Sequence, residues 1–313
     1  MATEERVYVL GGIIFVSEIP LPELPECAPA MLPALPRINI RVGPVPFALP
    51  EGVEVDPDCL ATPMEYLLRV PGIALYRVSN GTEVVVEPDR HATPMDIRAF
   101  LLGTIFAVLC HQRGLLPLHA SAVSTETGVA AFLARSGQGK SSLVANLANR
   151  GFHIVADDIC LVESSVSGDP LVIPTAPWLK LWRASLQQLG QPIEGLDQVF
   201  SEDDKYRVPI QGATSGNASV RQAIRNLIFI GELGRESAQQ VDVKELARVH
   251  ALPLLMNQVH QAYLVEAIGM RQQSFLRCGQ VLSEARAYRL IRPWGFQYMD
   301  QTIDAIEALI LKC

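Results

Sequence analysis

The sequence lacks several features that would place it in a specialised class of protein. Its 313 residues include six cysteines but no C-x-x-C pair, which argues against a disulfide framework and against a zinc ribbon. The net charge is −7 and no run of basic residues occurs, so a nucleic-acid backbone is not expected as a partner. We therefore expect free thiols in a reducing compartment.

Long hydrophobic runs and a targeting segment are also missing. The longest apolar run, residues 100–110, has 11 residues, whereas a membrane-spanning helix needs about 20. The first residues are acidic and lead directly into a strand-like pattern, unlike the basic and then apolar order of a secretory signal. The sequence thus predicts a cytoplasmic protein with no membrane partner.

The first third of the chain has the pattern of a small β-rich domain, residues 1–93. Short apolar runs are separated by turn residues, including Gly11-Gly12 and Asn80-Gly81, which suit tight hairpins. A helix is predicted over residues 94–113, because Thr93 is a good N-cap and Gly114 a good stop. This gives three segments: the β-rich domain, a connecting helix at 94–114, and a larger domain at 115–313.

The stretch ARSGQGKSS, residues 134–142, has the pattern of a phosphate-binding loop between a strand and a helix. Glycines allow backbone N–H groups to approach an anion, and the helix N-terminus adds its positive dipole end. Ala134 replaces the first glycine of the full pattern. The predicted nucleotide contacts are Ser136, Gly137, Gln138, Gly139, Lys140, Ser141 and Ser142. Lys140 is expected against the β and γ phosphates and Ser141 on Mg²⁺; the alternative is a structural turn without a ligand.

Asp157 and Asp158 follow a predicted buried strand, at the edge where ligands bind in α/β folds. Two adjacent carboxylates repel each other, so one is expected to stay ionised for a metal while the other has a raised pKa and accepts a proton. His119 ends an apolar run of a predicted hairpin beside the loop, and we expect it to reach the aspartates. A strand-end cap and a core histidine are the alternatives.

The spacing of these residues resembles the catalytic domain of the bacterial HPr kinase/phosphorylase family. His119 precedes Lys140 by 21 residues, and Asp157 follows Lys140 by 17. The resemblance implies an α/β P-loop core of the HPr kinase and phosphoenolpyruvate carboxykinase type, which transfers phosphate from ATP to a serine. It further implies that Asp158 is the general base, His119 its partner and Asp157 a Mg²⁺ ligand, although the two aspartate roles could be exchanged. Because the family is oligomeric, a homo-oligomer is also implied.

The resemblance is good over residues 115–165 and then departs from the family pattern. The glycine-rich signature and the metal-binding Glu of HPr kinases are absent, and PTAPWLKLW, residues 174–182, stands there instead. The whole chain looks more like the HprK-related kinases found beside lasso-peptide genes, which implies the C-terminal serine of a precursor peptide as acceptor. The alternatives are an HPr-type kinase/phosphorylase, a small-molecule kinase and a nucleotide-binding regulator without transfer activity.

The second half of the chain offers further basic and aromatic candidates. Residues 180–190 have helical spacing, residues 205–207 are expected in a polar loop, and residues 242–282 are expected to form two helices. Trp178 and Trp182 are expected in the core rather than against an adenine ring. The basic residues considered for the γ-phosphate or the acceptor are Lys180, Lys205, Arg207 and Arg271.

Overall fold

The computed structural model describes residues 5–27, 35–165, 167–175, 178–210, 220–231 and 240–311. These residues form a mixed α/β protein that divides into two compact units. The first unit comprises Met1–Leu116, Gln198–Asp203 and Gln261–Ser274, and the second comprises Pro117–Asp197, Asp204–His260 and Phe275–Cys313.

The first unit contains an eight-stranded sheet within its described residues. Its strands are β1 (Arg6–Leu10), β2 (Ile13–Ser17), β3 (Arg37–Val42), β4 (Val53–Asp56), β5 (Cys59–Ala61), β6 (Glu65–Val70), β7 (Ala74–Ser79) and β8 (Glu83–Pro88). They pair in the order β1-β2-β3-β8-β7-β6-β5-β4. The β1–β2 and β7–β8 hairpins turn at the predicted positions, where Asn80 and Gly81 have φ of 55° and 65°.

A long helix packs against this sheet and matches its predicted limits. It comprises α1 (Pro94–Phe100), a π-helical turn (Leu101–Ile105) and α2 (Phe106–Gln112). The Thr93 hydroxyl accepts the Asp96 N–H at 3.1 Å, as expected of an N-cap. Of the described helices, this one alone is long and apolar enough to cross a membrane. Because 67% of its most apolar stretch is buried in the protein, it serves as a core helix here.

The second unit is built on a nine-stranded sheet, counted over its described residues. Its strands are β9 (Leu116–Leu118), β10 (Ala120–Thr125), β11 (Gly128–Leu133), β12 (His153–Ala156), β13 (Cys160–Ser164), β14 (Pro170–Ile173), β17 (Gln222–Ile230), β18 (Asp242–Leu246) and β19 (Arg286–Ile291). The order is β12-β10-β11-β17-β14-β13-β9, and β19 pairs with β17 and β18. A separate antiparallel pair joins β15 (Trp178–Trp182) and β16 (Lys205–Pro209).

Six further α-helices lie within the described residues. They are α3 (Lys140–Asn149), α4 (Arg183–Gln188), α5 (Arg248–Met256), α6 (Leu264–Ala267) in the first unit, α7 (Arg271–Glu284) and α8 (Met299–Ile310). Helix α3 buries Leu143 and Leu147 in a core shared with Phe132 of β11 and Ile303 of α8. This burial of apolar side chains fixes the loop between β11 and α3 against the sheet.

Three sequence expectations for the second unit are wrong. Residues 178–182 form β15 and only Arg183–Gln188 is helical, whereas a helix was expected from Lys180. The expected polar loop at 205–207 is strand β16. The region expected to form two helices begins with strand β18, Asp242–Leu246. In β15 alternate residues are buried, a period of two that pairing with β16 favours over a helix.

Candidate functional site

The phosphate-loop sequence forms a tight turn between β11 and α3. Gly137 and Gly139 have φ of 80° and 86°, in the left-handed region that favours glycine, and Gly139 is the N-cap of α3. A Cβ atom on Gly139 would lie 2.5 Å from a guanidinium nitrogen of Arg292. The turn therefore requires glycine, and it leaves the N-terminus of a ten-residue helix facing the space beside it.

Lys140 is buried at the base of this turn. Its Nζ donates hydrogen bonds to the carbonyl oxygens of Ala134 at 2.6 Å and Arg135 at 3.2 Å, and it lies 2.9 Å from Nε2 of His119. Burial lowers the pKa of Lys140 to about 8. Since these three acceptors match the three hydrogens of an ammonium group, a phosphate oxygen has to displace one of them.

His119 lies between the Lys140 ammonium and Asp158. Its Nδ1 is 3.2 Å from the Asp158 carbonyl oxygen and 3.4 Å from Asp158 Oδ1. Burial and the Lys140 charge both lower the pKa of His119. These partners favour the neutral ring in which Nε2 accepts from Lys140 and Nδ1 donates to Asp158. The His260 ring, which the sequence did not suggest, packs edge-on to His119 with ring centroids 5.6 Å apart.

Asp157 is buried and held by three hydrogen bonds. Its Oδ1 accepts from the hydroxyls of Ser121 at 2.6 Å and Ser141 at 2.7 Å, and its Oδ2 accepts from the backbone N–H of Lys180 at 2.8 Å. The carboxylate thus faces the start of α3. It contacts the serine that the sequence motif assigns to Mg²⁺.

Asp158 contacts a lysine side chain and is strongly ionised. Its φ of 69° is unusual for a residue other than glycine and turns the side chain towards Lys180, whose Nζ lies 2.6 Å from Oδ2. Burial opposes ionisation of Asp158, but the Lys180 ammonium, which also donates a hydrogen bond to the carboxylate, outweighs it and holds the Asp158 pKa well below its usual range. The expectation that one aspartate has a raised pKa is therefore wrong for Asp158, because the Lys180 ammonium stabilises its ionised form.

A cavity of about 290 Å³ opens beside the loop. It is lined by His119, Ser136, Gly137, Gly139, Lys140, Ser141, Ser142, Asp158, Lys180, Trp182, Ala184, Ser185, Lys205, Arg292, Trp294, Gly295, Phe296 and Met299. Three lysines and one arginine face one aspartate here, so the cavity has an excess of positive charge that suits a polyphosphate. Gln138 and Asp157 are not part of the lining. The carbonyl of Gln138 instead accepts a hydrogen bond from Arg292 at 3.0 Å.

The structure separates the basic residues that the sequence offered. Lys180 and Lys205 line the cavity. Arg207 is buried and lies outside the lining, and Arg271 belongs to the first unit, where it is 3.4 Å from Glu266. Trp182 corrects another expectation: it is 44% exposed and lines the cavity instead of packing in the core.

Sequence reasoning did not identify Arg292, Trp294 or Phe296. They follow strand β19, more than 140 residues after the phosphate loop. No motif spans that distance. The only local signal is two aromatic residues on either side of Gly295, directly after a strand.

Among the described residues, two sets of atoms have ligand chemistry for a cation. The Ser141 and Asp157 oxygens form one set, and oxygen ligands suit Mg²⁺. In the second set, ligand atoms of His119, Asp158 and His260 lie within 4.8 Å of one another, a donor type that suits transition metals. The lysine ammonium groups beside His119 and Asp158 disfavour a cation in the second set.

Comparison with known proteins gives little beyond this geometry. Neither the models of known protein families nor the curated proteins match the chain. Among solved structures, it is similar to an Hpr(Ser) kinase/phosphatase from Coxiella burnetii, with 10% sequence identity and a TM-score of 0.33 over 63% of this chain and 91% of that chain. A similarity with so low a TM-score assigns no function to this chain.

Proposed function

We propose that the second unit binds ATP with Mg²⁺ and transfers the γ-phosphate to the hydroxyl of a serine in a peptide or small protein. The observation that carries this proposal is the 2.7 Å hydrogen bond from Ser141 to Asp157 at the first turn of α3. This hydrogen bond places Ser141 of the sequence motif and the buried Asp157 carboxylate together at the N-terminus of α3, beside a cavity lined by cationic side chains.

The residues present fit a magnesium ion. Ser141 Oγ and Asp157 Oδ1 are both oxygen donors, and Mg²⁺ binds one or two protein oxygens together with substrate phosphates. Ser121 and the Lys180 N–H orient the Asp157 carboxylate. When bound, Mg²⁺ would neutralise charge on the phosphates.

The loop and the lysines account for binding of the triphosphate. Gly137 and Gly139 keep the backbone N–H groups open to phosphate oxygens, since a Cβ at either position would strain the turn. Lys140 supplies a charge at the base of the turn, and Lys180, Lys205 and Arg292 supply charges from other sides of the cavity. This clamp stabilises the charge that spreads over the transferred group.

Asp158 is the proposed proton acceptor. Lining the cavity and ionised, it can take the proton from the acceptor hydroxyl as that oxygen bonds to the γ-phosphorus. The bond between the γ-phosphorus and the bridging oxygen breaks, so that ADP leaves with its electron pair. His119 holds the backbone of Asp158 and the Lys140 ammonium in register.

The substitution Asp158→Asn tests this assignment. Asparagine tolerates positive φ and keeps the shape of the side chain, so the fold and ATP binding should persist. We expect transfer to fall at least about 100-fold, since general base catalysis contributes 10²–10⁴-fold. The measurement is transfer of labelled γ-phosphate from ATP, with Mg²⁺, to serine peptides and to the same peptides with alanine in place of serine.

Three outcomes separate the proposal from its alternatives. Unchanged transfer by Asp158→Asn would refute the base assignment. Binding of ATP without transfer to any peptide or metabolite would indicate a nucleotide-binding regulator. Transfer to metabolites alone would indicate a small-molecule kinase, and Lys140→Ala, which removes the loop charge, serves as the negative control for all three assays.

A further inference from the structure

The cavity beside the phosphate loop has an aromatic part that the transfer reaction does not use. Trp182, Trp294 and Phe296 line it together with the buried Met299. Trp182 is 44% exposed, Trp294 48% and Phe296 40%, which are high values for such large apolar side chains. Exposed aromatic surface gathered in one cavity is typical of a ligand-binding wall rather than of a core.

Trp182 and Phe296 lie in regular structure, and Trp294 lies in the bend just before Phe296. Trp182 ends strand β15, and the Nζ of Lys205, on the paired strand β16, lies 5.7 Å from its ring centroid. Trp294 and Phe296 flank Gly295, whose φ of 126° is open to glycine and disfavours other residues. A 3₁₀ turn at Phe296–Tyr298 then leads directly into helix α8. The three aromatic side chains are therefore anchored by β15 on one side and by the start of α8 on the other.

The same cavity offers the two chemistries of a nucleoside triphosphate. The N–H groups of the loop suit the phosphates, and so do the four cationic side chains that line the cavity, Lys140, Lys180, Lys205 and Arg292. Aromatic faces suit a planar base, because stacking on a π-surface is favourable for every base and grows with ring area. A purine has a larger face than a pyrimidine.

We propose that Trp182, Trp294 and Phe296 form the binding surface for the purine base of the nucleotide. This inference rests on the proposed function, because it takes the phosphate end of the cavity as given. It adds a specificity that the loop alone lacks: the site selects purine nucleoside triphosphates over pyrimidine nucleotides and over bare polyphosphate.

The decisive experiment compares ATP, CTP and tripolyphosphate by calorimetry on the wild-type chain and on Trp294→Ala. We expect wild type to bind ATP more tightly than CTP or tripolyphosphate. Trp294→Ala should weaken ATP binding about 5- to 150-fold, from the energy of base stacking on an aromatic ring, and leave tripolyphosphate binding unchanged. Trp294→Phe, which keeps an aromatic face, should restore most of the affinity.

Tryptophan fluorescence gives a readout on the unmodified chain. Two of its three tryptophans, Trp182 and Trp294, line the cavity, so ATP should quench the emission and tripolyphosphate should not. Equal binding of ATP by wild type and Trp294→Ala would overturn the proposal, as would equal loss of ATP and tripolyphosphate affinity. If wild type binds neither ligand, both proposals fail. If it prefers ATP but transfers nothing, only the proposed function fails.

Discussion

At the scale of single residues, adjacent positions in the sequence have opposite surroundings. Asp157 faces two serine hydroxyls and a backbone N–H, whereas Asp158 faces the Lys180 ammonium. Asp158 also has a positive φ of 69°, which is unusual for a residue other than glycine. In the proposed reaction the two aspartates have different tasks, Asp157 beside the proposed Mg²⁺ ligand Ser141 and Asp158 as the proposed base.

The contact between Lys180 and Asp158 predicts a change in pH dependence. In wild type the low pKa of Asp158 keeps the base ionised, so transfer should stay constant as the pH falls through the ordinary carboxyl range. Lys180→Met removes the nearest positive charge, which should raise the pKa of Asp158. Because only the ionised form of the proposed base accepts a proton, the acid limb of the rate profile should move to higher pH.

The matched control for this prediction is Lys205→Met. Lys205 lines the same cavity but lies over the Trp182 ring. Both variants should weaken nucleotide binding, while only Lys180→Met should shift the acid limb. His119 and His260 still face Asp158 in either variant, so some lowering of its pKa should remain. An unshifted limb in Lys180→Met would contradict the prediction.

The lowered pKa of Lys140 makes a second prediction, about binding. Only the ammonium form attracts phosphate, and it is lost as the pH rises through about 8. Affinity for tripolyphosphate should therefore weaken above pH 8, approaching about tenfold per pH unit, until the pKa of the bound state is reached. Calorimetry across this pH range measures the slope. Lys140→Arg, which stays charged, should bind with a flatter pH dependence, and equal slopes would refute the assignment.

At the scale of secondary-structure elements, the β15–β16 pair completes the site. It brings Lys180, Trp182 and Lys205 to the cavity, and two of the three wrong sequence expectations fall on it. The apolar residues of β15 have a spacing compatible with a short helix. They form a strand instead, because their backbone N–H and C=O groups bond to β16, whose Lys205 pairs with Trp182 from 23 residues further along the chain. A partner so distant in sequence is invisible to local periodicity.

Strand β17, in the middle of the large sheet, contains an unfavourable buried group. Asn226 is fully buried between Ala130 of β11 and Arg286 of β19, and within the described residues neither polar atom of its amide has a hydrogen-bond partner. Such a group costs about 1–3 kcal/mol. Asn226→Val should therefore raise the free energy of unfolding by about that amount, measured by urea denaturation.

The matched control at this position is Asn226→Asp. An aspartate keeps the volume of asparagine but adds a buried charge, so it should destabilise the protein. A lower free energy of unfolding in Asn226→Val would contradict the prediction, because it would mean that the Asn226 amide stabilises the protein more than a buried hydrocarbon side chain does.

At the scale of the whole molecule, the candidate site lies within one of the two compact units. The second unit by itself contains every residue that lines the cavity, including all predicted loop contacts except Gln138. The first unit has its own sheet and a buried helix. The thiols agree with the sequence expectation: among described cysteines, Cys27, Cys59, Cys110, Cys160 and Cys278 are all free, while Cys313 lies outside the described residues.

The sequence by itself determined the features that depend on neighbouring residues. The phosphate loop, its helix, the Thr93 cap, the hairpin turn at Asn80-Gly81 and the strand before Asp157 follow from turn and cap chemistry within a few positions. Such patterns are legible because the interacting groups are adjacent in the chain.

Only the tertiary structure decided how the site is completed. Arg292 contacts the loop and Trp294 lines the cavity, although both follow β19 in the chain. Lys180 forms an ion pair with Asp158 from strand β15, which local periodicity did not predict. The different surroundings of Asp157 and Asp158 likewise depend on contacts from β10, α3 and β15. Charge, pKa and cavity shape are sums over neighbours in space, and those neighbours are set by strand pairing rather than by spacing along the chain.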